Sequence, residues 1–179
     1  MAANTKSTQI QNAEASPRVM NDPHHSHGRL RIKSETVAVA AADDDTSVYR
    51  FFRVKSTDSI KSLKLYQDGI TGATDYDLGL HQTTENGAAV LDADLYADGL
   101  NLEVACPAVP HVLATAPYLE CRFGAASTAN ITDINNRVYD DAGLTQATAA
   151  SEYDVTITAN TVGSAAGDMT LVMEYTAGD

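Results

Sequence analysis

The chain has 179 residues, a net charge of −12 and 44% hydrophobic residues, which suits one ordinary domain, or one domain plus an arm, with enough apolar content for a core. The charge is unevenly spread: residues 1–33 carry +3, residues 34–64 balance, and residues 65–179 carry −15 with Arg122 and Arg137 as their cations. So acidic a body argues against nucleic acid or an anionic membrane as partner, both of which need clustered Lys and Arg.

Residues 1–28 differ from the rest. They are polar, broken by Pro17 and Pro23, and show no period of two or 3.6, so they are expected to form an extended N-terminal arm without regular structure that orders on a neighbour. No apolar run there is long enough for a secretory signal, which implies a chain that begins in a cytoplasm. His24, His25 and His27 lack the carboxylate or Cys at fixed spacing that would complete a metal set. We expect no metal and no cofactor.

Residues 29–179 read as a β-sandwich body. Arg29-Leu30-Arg31-Ile32-Lys33 alternates charge with apolar residues, the mark of a strand with one wet face, and Glu35–Val39 is a candidate continuation of it. Its three cations, with Arg18, are the candidate partner-binding residues. The segment is either the first strand of its own sandwich or an arm laid on an acidic neighbour, where it could add to a sheet edge.

The run Asp43-Asp44-Asp45 reads as a solvated turn, since three consecutive acids without Gly do not converge on calcium. Residues 47–55 and 59–66 read as the second and third strands, the latter with a bulge near Ser62 that brings Ile60 into phase with Leu63 and Leu65. A strand over 73–81 puts Tyr76, Leu78 and Leu80 on one face and Asp75 beside Asp77. Asn86-Gly87 is the strongest hairpin signal.

Residues 91–100 place Leu91 and Leu95 at helical spacing before Gly99, which predicts a short helix or turn. Asp75, Asp77, Asp92 and Asp94 could in principle supply the paired carboxylates of a glycosidase. The chain has no Trp for sugar stacking, so a wet acidic face is the expectation. Residues 106–110 are irregular. Cys106 and Cys121 are expected as reduced core residues. A thiol nucleophile paired with His81 or His111 lacks an activating positive field.

Residues 132–144 read as a short helix capped at Thr132 or Asp133, with Ile134, Val138 and Tyr139 on one face and Gly143 as the stop. Residues 153–159 and 169–175 alternate strictly and are expected to pair antiparallel across the loop 163–168. Short strands with frequent turns indicate an antiparallel sandwich or barrel. No nucleophile elbow, Walker loop, dinucleotide fingerprint or zinc-protease helix is present, so no enzyme is expected.

Three consecutive pieces carry a resemblance. Asp75-Tyr76-Asp77-Leu78-Gly79-Leu80, then Glu85-Asn86-Gly87-Ala88-Ala89-Val90, then Asp92-Ala93-Asp94-Leu95-Tyr96-Ala97-Asp98-Gly99-Leu100 resemble a family of small capsid-associated proteins of tailed bacteriophages. In that family a strand, a turn and a helix follow in this order. The closing pair 153–159 and 169–175 is also similar, and the resemblance spans roughly residues 45–179.

It implies a jelly-roll-like sandwich in a virion protein, foremost a capsid cement or decoration protein. Its partners would be the major capsid protein, other virion proteins and copies of itself, assembled in the host bacterial cytoplasm. The alternatives are a head–tail adaptor, tail or fibre-base component, or a carbohydrate-binding or carbohydrate-active module. The N-terminal arm lies outside the pattern.

Overall fold

The computed structural model describes residues 7–20, 29–105, 119–122, 131–146 and 148–178. His24, His25, His27, Cys106 and His111 therefore lie outside the described residues.

The protein is an antiparallel β-sandwich with two short α-helices. Its strands are β1 (Leu30–Val39), β2 (Val48–Lys55), β3 (Ser59–Gln67), β4 (Asp75–Gln82), β5 (Val90–Leu100), β6 (Leu119–Glu120), β7 (Glu152–Thr161) and β8 (Gly167–Thr176). One sheet has the order β1-β8-β3-β6 and the other β2-β7-β4-β5. Strand one neighbours eight, two neighbours seven, three neighbours six and four neighbours five. The chain thus runs as one long folded-back hairpin wound between two sheets, a jelly-roll-like path.

This winding corrects the expected pairing of the last two strands. β7 and β8 belong to different sheets. Strict alternation identifies a strand with one face on the core, but it does not say which sheet that strand joins. β7 lies between β2 and β4, and β8 between β1 and β3. Their inward residues, Tyr153, Val155 and Ile157 from one and Met169, Leu171 and Met173 from the other, are fully buried in the common core.

Two bulges adapt the sequence to that core. The register of β3 on β8 slips between Ile60 and Ser62, at the expected place, and Ile60, Leu63 and Leu65 are all buried. The register of β2 on β7 slips between Arg50 and Phe52, which lets the adjacent Phe51 and Phe52 both be buried. The turn at 43–45 is tied into the body rather than merely solvated. Tyr49 donates its hydroxyl to Asp43 at 2.9 Å, and the Val162 amide donates to Asp45 at 3.0 Å.

Residues 91–100 form a strand and not the predicted helix, which also departs from the pattern of the resembling family. Gly87, in the left-handed conformation with φ of 92°, closes a one-turn 3-10 segment at Thr84–Asn86 and returns the chain beside β4. β5 then follows β4 with three register shifts, so Leu91 and Leu95 owe their spacing of four to an irregular strand.

The N-terminal region departs from expectation in one respect. Thr8–Glu14 is an α-helix, α1, whose first turn is capped by Ser7 accepting from the Ile10 amide. Ile10 is its one large apolar side chain and is exposed, so the helix has no apolar stripe and leaves no periodic trace. Residues 132–144 divide into a 3-10 turn at Ile131–Asn135 and a one-turn helix, α2 (Val138–Asp141). Val138 is buried, Ile134 is exposed, and Gly143 follows at positive φ.

The outer face of the second sheet holds a buried histidine. His81 Nδ1 lies 2.7 Å from the Thr156 hydroxyl, and burial, followed by the nearby Arg50 charge, lowers its pKa. A depressed folded-state pKa favours the native state above the unfolded value near 6.5, and that contribution is lost as pH falls through the folded value. Thermal melts should therefore show stability falling from pH 7 towards pH 5. The slope should be shallower in His81→Gln, which has no proton to take up.

Candidate partner-binding site

At one side of the sandwich the edge strands β1 and β2 come together. β1 is the end strand of its sheet and pairs with β8 in unbroken register from Leu30↔Thr176 to Val39↔Gly167. Its other edge meets no strand among the described residues. The segment Arg29–Lys33 thus begins its own sandwich, which corrects its alternative placement on a neighbour's sheet.

Alternation divides β1 into two faces, but in the opposite sense to the expected one, in which the charges face water and Leu30 and Ile32 are buried. Leu30 and Ile32 point outward and remain 56% and 65% exposed. Arg31 and Lys33 turn towards β2 and line a pocket of about 190 Å³ with Arg53, Lys55, Tyr175 and Glu152. Lys33 donates to the Arg53 carbonyl at 2.8 Å, and its ammonium stands 5.2 Å from the Tyr175 ring centroid. Arg53 reaches Asp154 and Glu85, both at 3.1 Å.

Asp58 also lines the pocket, but its oxygens are occupied by the amides of Lys55 at 3.1 Å and Gly178 at 2.8 Å. Arg31 and Lys55 have no ion pair among the described residues. The pocket is therefore a basic recess in an acidic protein, suited to a carboxylate. Its volume is below the roughly 300 Å³ at which small-molecule sites begin.

The structure joins two of the four sequence candidates in this recess, Arg31 and Lys33. Arg29 is exposed at the start of β1, and Arg18 is exposed beyond α1. Neither bonds the body among the described residues. Arg53, Lys55 and Tyr175 escaped sequence reasoning. The two cations lie in residues 34–64, where balanced net charge hides them. Their alternation along the second strand with inward Phe52 and Val54 was the available signal.

The acidic candidates gather at the opposite side. Carboxylate oxygens of Asp75, Asp77 and Asp98 lie within 4.8 Å of one another. Asn160 donates to Asp77 at 2.7 Å and to Asp75 at 3.4 Å, and the Gly99 amide donates to Asp77 at 3.1 Å. The charge of Asp77 raises the pKa of Asp98. Burial, then the adjacent Asp94 carboxylate, raises that of Asp92.

Cys121 is buried, and the other half of the expected reduced pair, Cys106, lies outside the described residues. Cys121 follows β6 in one sheet, whereas His81 lies on β4 in the other. No helix among the described residues is long and apolar enough to cross a membrane.

No protein-family model and no curated protein matches the sequence. Among solved structures, the chain is similar to one from the "Cyanophage Pam1 capsid asymmetric unit", with a TM-score of 0.48 and 14% identity over 99% of each chain. A likeness this distant assigns neither fold nor role.

Proposed function

We propose that this protein is a non-enzymatic virion structural protein of a tailed bacteriophage, a capsid cement or decoration protein that binds the shell and stabilises it. The observation that carries the proposal is the edge of β1, unbroken in register and meeting no further strand among the described residues, with Leu30 and Ile32 exposed on its outer face and a recess lined by Arg31, Lys33, Arg53, Lys55 and Glu152 on the other. An unbulged edge strand with exposed apolar side chains is a template for another protein. Its cations select an acidic surface. The motif resemblance at 75–100 supports a phage origin, and its departure at β5 concerns local conformation.

Gel densitometry of purified particles tests the role. Cement predicts a copy number near that of the major capsid protein. A few copies at one vertex would instead indicate a head–tail adaptor, tail or fibre-base component, and absence from particles would overturn the proposal. Replacing Arg29, Arg31 and Lys33 with Ser should lower occupancy and flatten its dependence on salt. Each exposed ion pair contributes only about 0–1 kcal/mol, so the loss will show as a sum over many copies. Unchanged occupancy by the folded variant would remove the electrostatic part of the proposal. The carbohydrate alternative would rest on the clustered carboxylates of Asp75, Asp77 and Asp98, and measurable glycan hydrolysis would favour it over the structural role.

A further inference from the structure

The two sides of the sandwich carry opposite charge. Arg31 and Lys33 on β1 and Lys55 on β2 gather on one side beside Glu152, while Arg50 and Arg53 of β2 are engaged by Asp154 and Glu85. β5 ends its sheet on the opposite side from β2. From residue 65 to 121 the chain has no Lys or Arg, while β4 and β5 contribute Asp75, Asp77, Asp92, Asp94 and Asp98. With strands about 4.8 Å apart, β2 and β5 stand roughly 14 Å from each other across their sheet, further than the Debye length at physiological salt. Each side therefore presents its own sign to an approaching molecule.

Both sides also carry apolar area. Leu30 and Ile32 are exposed on β1, and Val90 is 58% exposed at the start of β5. We propose that the protein associates with a second copy of itself head to tail, the β1–β2 side of one copy against the β5 side of the next. A symmetric contact over the basic half of β1 is disfavoured, because a twofold axis there would set Arg31 beside Arg31 or Lys33 of the other copy. A head-to-tail contact sets cations against carboxylates instead. The contact is formed by side chains and not by one continuous sheet, because the three register shifts of β5 spoil its edge as a template.

Such a contact uses different surfaces on its two partners, so it repeats until it closes into a ring or extends as a row. It concerns the chain in solution and stands apart from the virion role. A monomeric chain found in particles would overturn this inference and leave that role in place.

The test is sedimentation velocity of the full chain at low salt and at about 0.5 M NaCl, with circular dichroism to confirm folding. The wild type should associate at low salt and dissociate at least tenfold more readily at high salt. Arg31→Glu with Lys33→Glu puts like charge where β1 meets the acidic side of the next copy and should be monomeric. Asp92→Lys with Asp94→Lys does the same from the β5 side and should also be monomeric. Mixing the two variants should restore association, an outcome that local damage to either surface would not produce. Should the first variant lose its fold, Arg29→Glu with Arg31→Glu replaces it. A wild type that stays monomeric at low salt, or variants that associate as the wild type does, would overturn the inference.

Discussion

Replacing Arg122 with Met will destabilise the protein by about 3–5 kcal/mol, the usual cost of removing one partner from a buried ion pair. The guanidinium and the Asp141 carboxylate are 1% and 3% exposed. They meet in two hydrogen bonds of 2.8 and 3.2 Å, and Arg122 also donates to the Asp133 carbonyl at 3.1 Å. Its charged carbon lies 5.0 Å from the centre of the Tyr96 ring. One side chain thus joins the segment after β6, the turn before α2, α2 itself and β5.

The loss should depend on pH. Burial already holds the Asp141 carboxyl above its usual range, against the opposing pull of Arg122. Without Arg122 that folded-state pKa rises further. A raised carboxyl pKa favours the native state at low pH, and this contribution is lost as pH rises through the folded value. Denaturant titration should therefore show a smaller deficit in acid than at neutrality. Arg122→Met with Asp141→Leu should recover much of the loss, since it leaves no charge buried. Equal stability of Arg122→Met and wild type at pH 7 would show that the pair contributes nothing.

The second large effect is expected at Gly79, on the middle of β4. A β-carbon built there falls on the backbone carbonyl of Asp92 and within 2.5 Å of the Ala93 carbonyl group. Those atoms belong to β5, so no flexible side chain can turn away. Gly79→Ala should cost at the upper end of the roughly 1–3 kcal/mol range for overpacking, and Gly79→Val more. The damage should spread to the acidic side of the sandwich, because β5 must lift to admit the methyl group. Amide exchange in β5 rising while that in β1 and β8 stays slow would identify this mechanism. A wild-type melting temperature for Gly79→Ala would contradict the close approach.

Gly79 also shows what could be read from the sequence and what could not. Alternation located β1 to β4, β7 and β8 and gave the inward faces of β3, β4, β7 and β8, because burial on one side of a pleated strand imposes a period of two, whereas β1 turns its apolar Leu30 and Ile32 outward and β2 is bulged. Asn86-Gly87 located the β4–β5 hairpin. β5 itself read as helical because its irregular pairing breaks that period, and the strand is held by β4 and by the gap at Gly79, neither visible locally. The expected β7–β8 pair failed for a related reason, since sequence proximity says nothing about a chain wound between two sheets. At the site, Arg31 and Lys33 were legible from charge patterning, whereas Arg53, Lys55 and Tyr175 needed the third dimension to join them. Arg122 had a trace, a lone cation in an acidic stretch and directly after Cys121, but not a partner.

The position of β8 between β1 and β3 constrains how the chain is made. Synthesis delivers β1, β3 and their apolar faces well before β8, a delay of roughly ten seconds at ordinary elongation rates. During that interval neither strand has its main neighbour, and the sheet cannot be completed however favourable the local sequence. Closure of β1 onto β8 joins segments far apart in the chain, the kind of contact that slows folding most. A nascent chain whose β8 has not yet emerged is therefore an open sandwich with its core exposed, and the folded state becomes available only once Gly167–Thr176 has cleared the exit tunnel. Interrupted products lacking that strand would remain targets for chaperones and proteases, and so would be kept out of any assembly the complete protein enters.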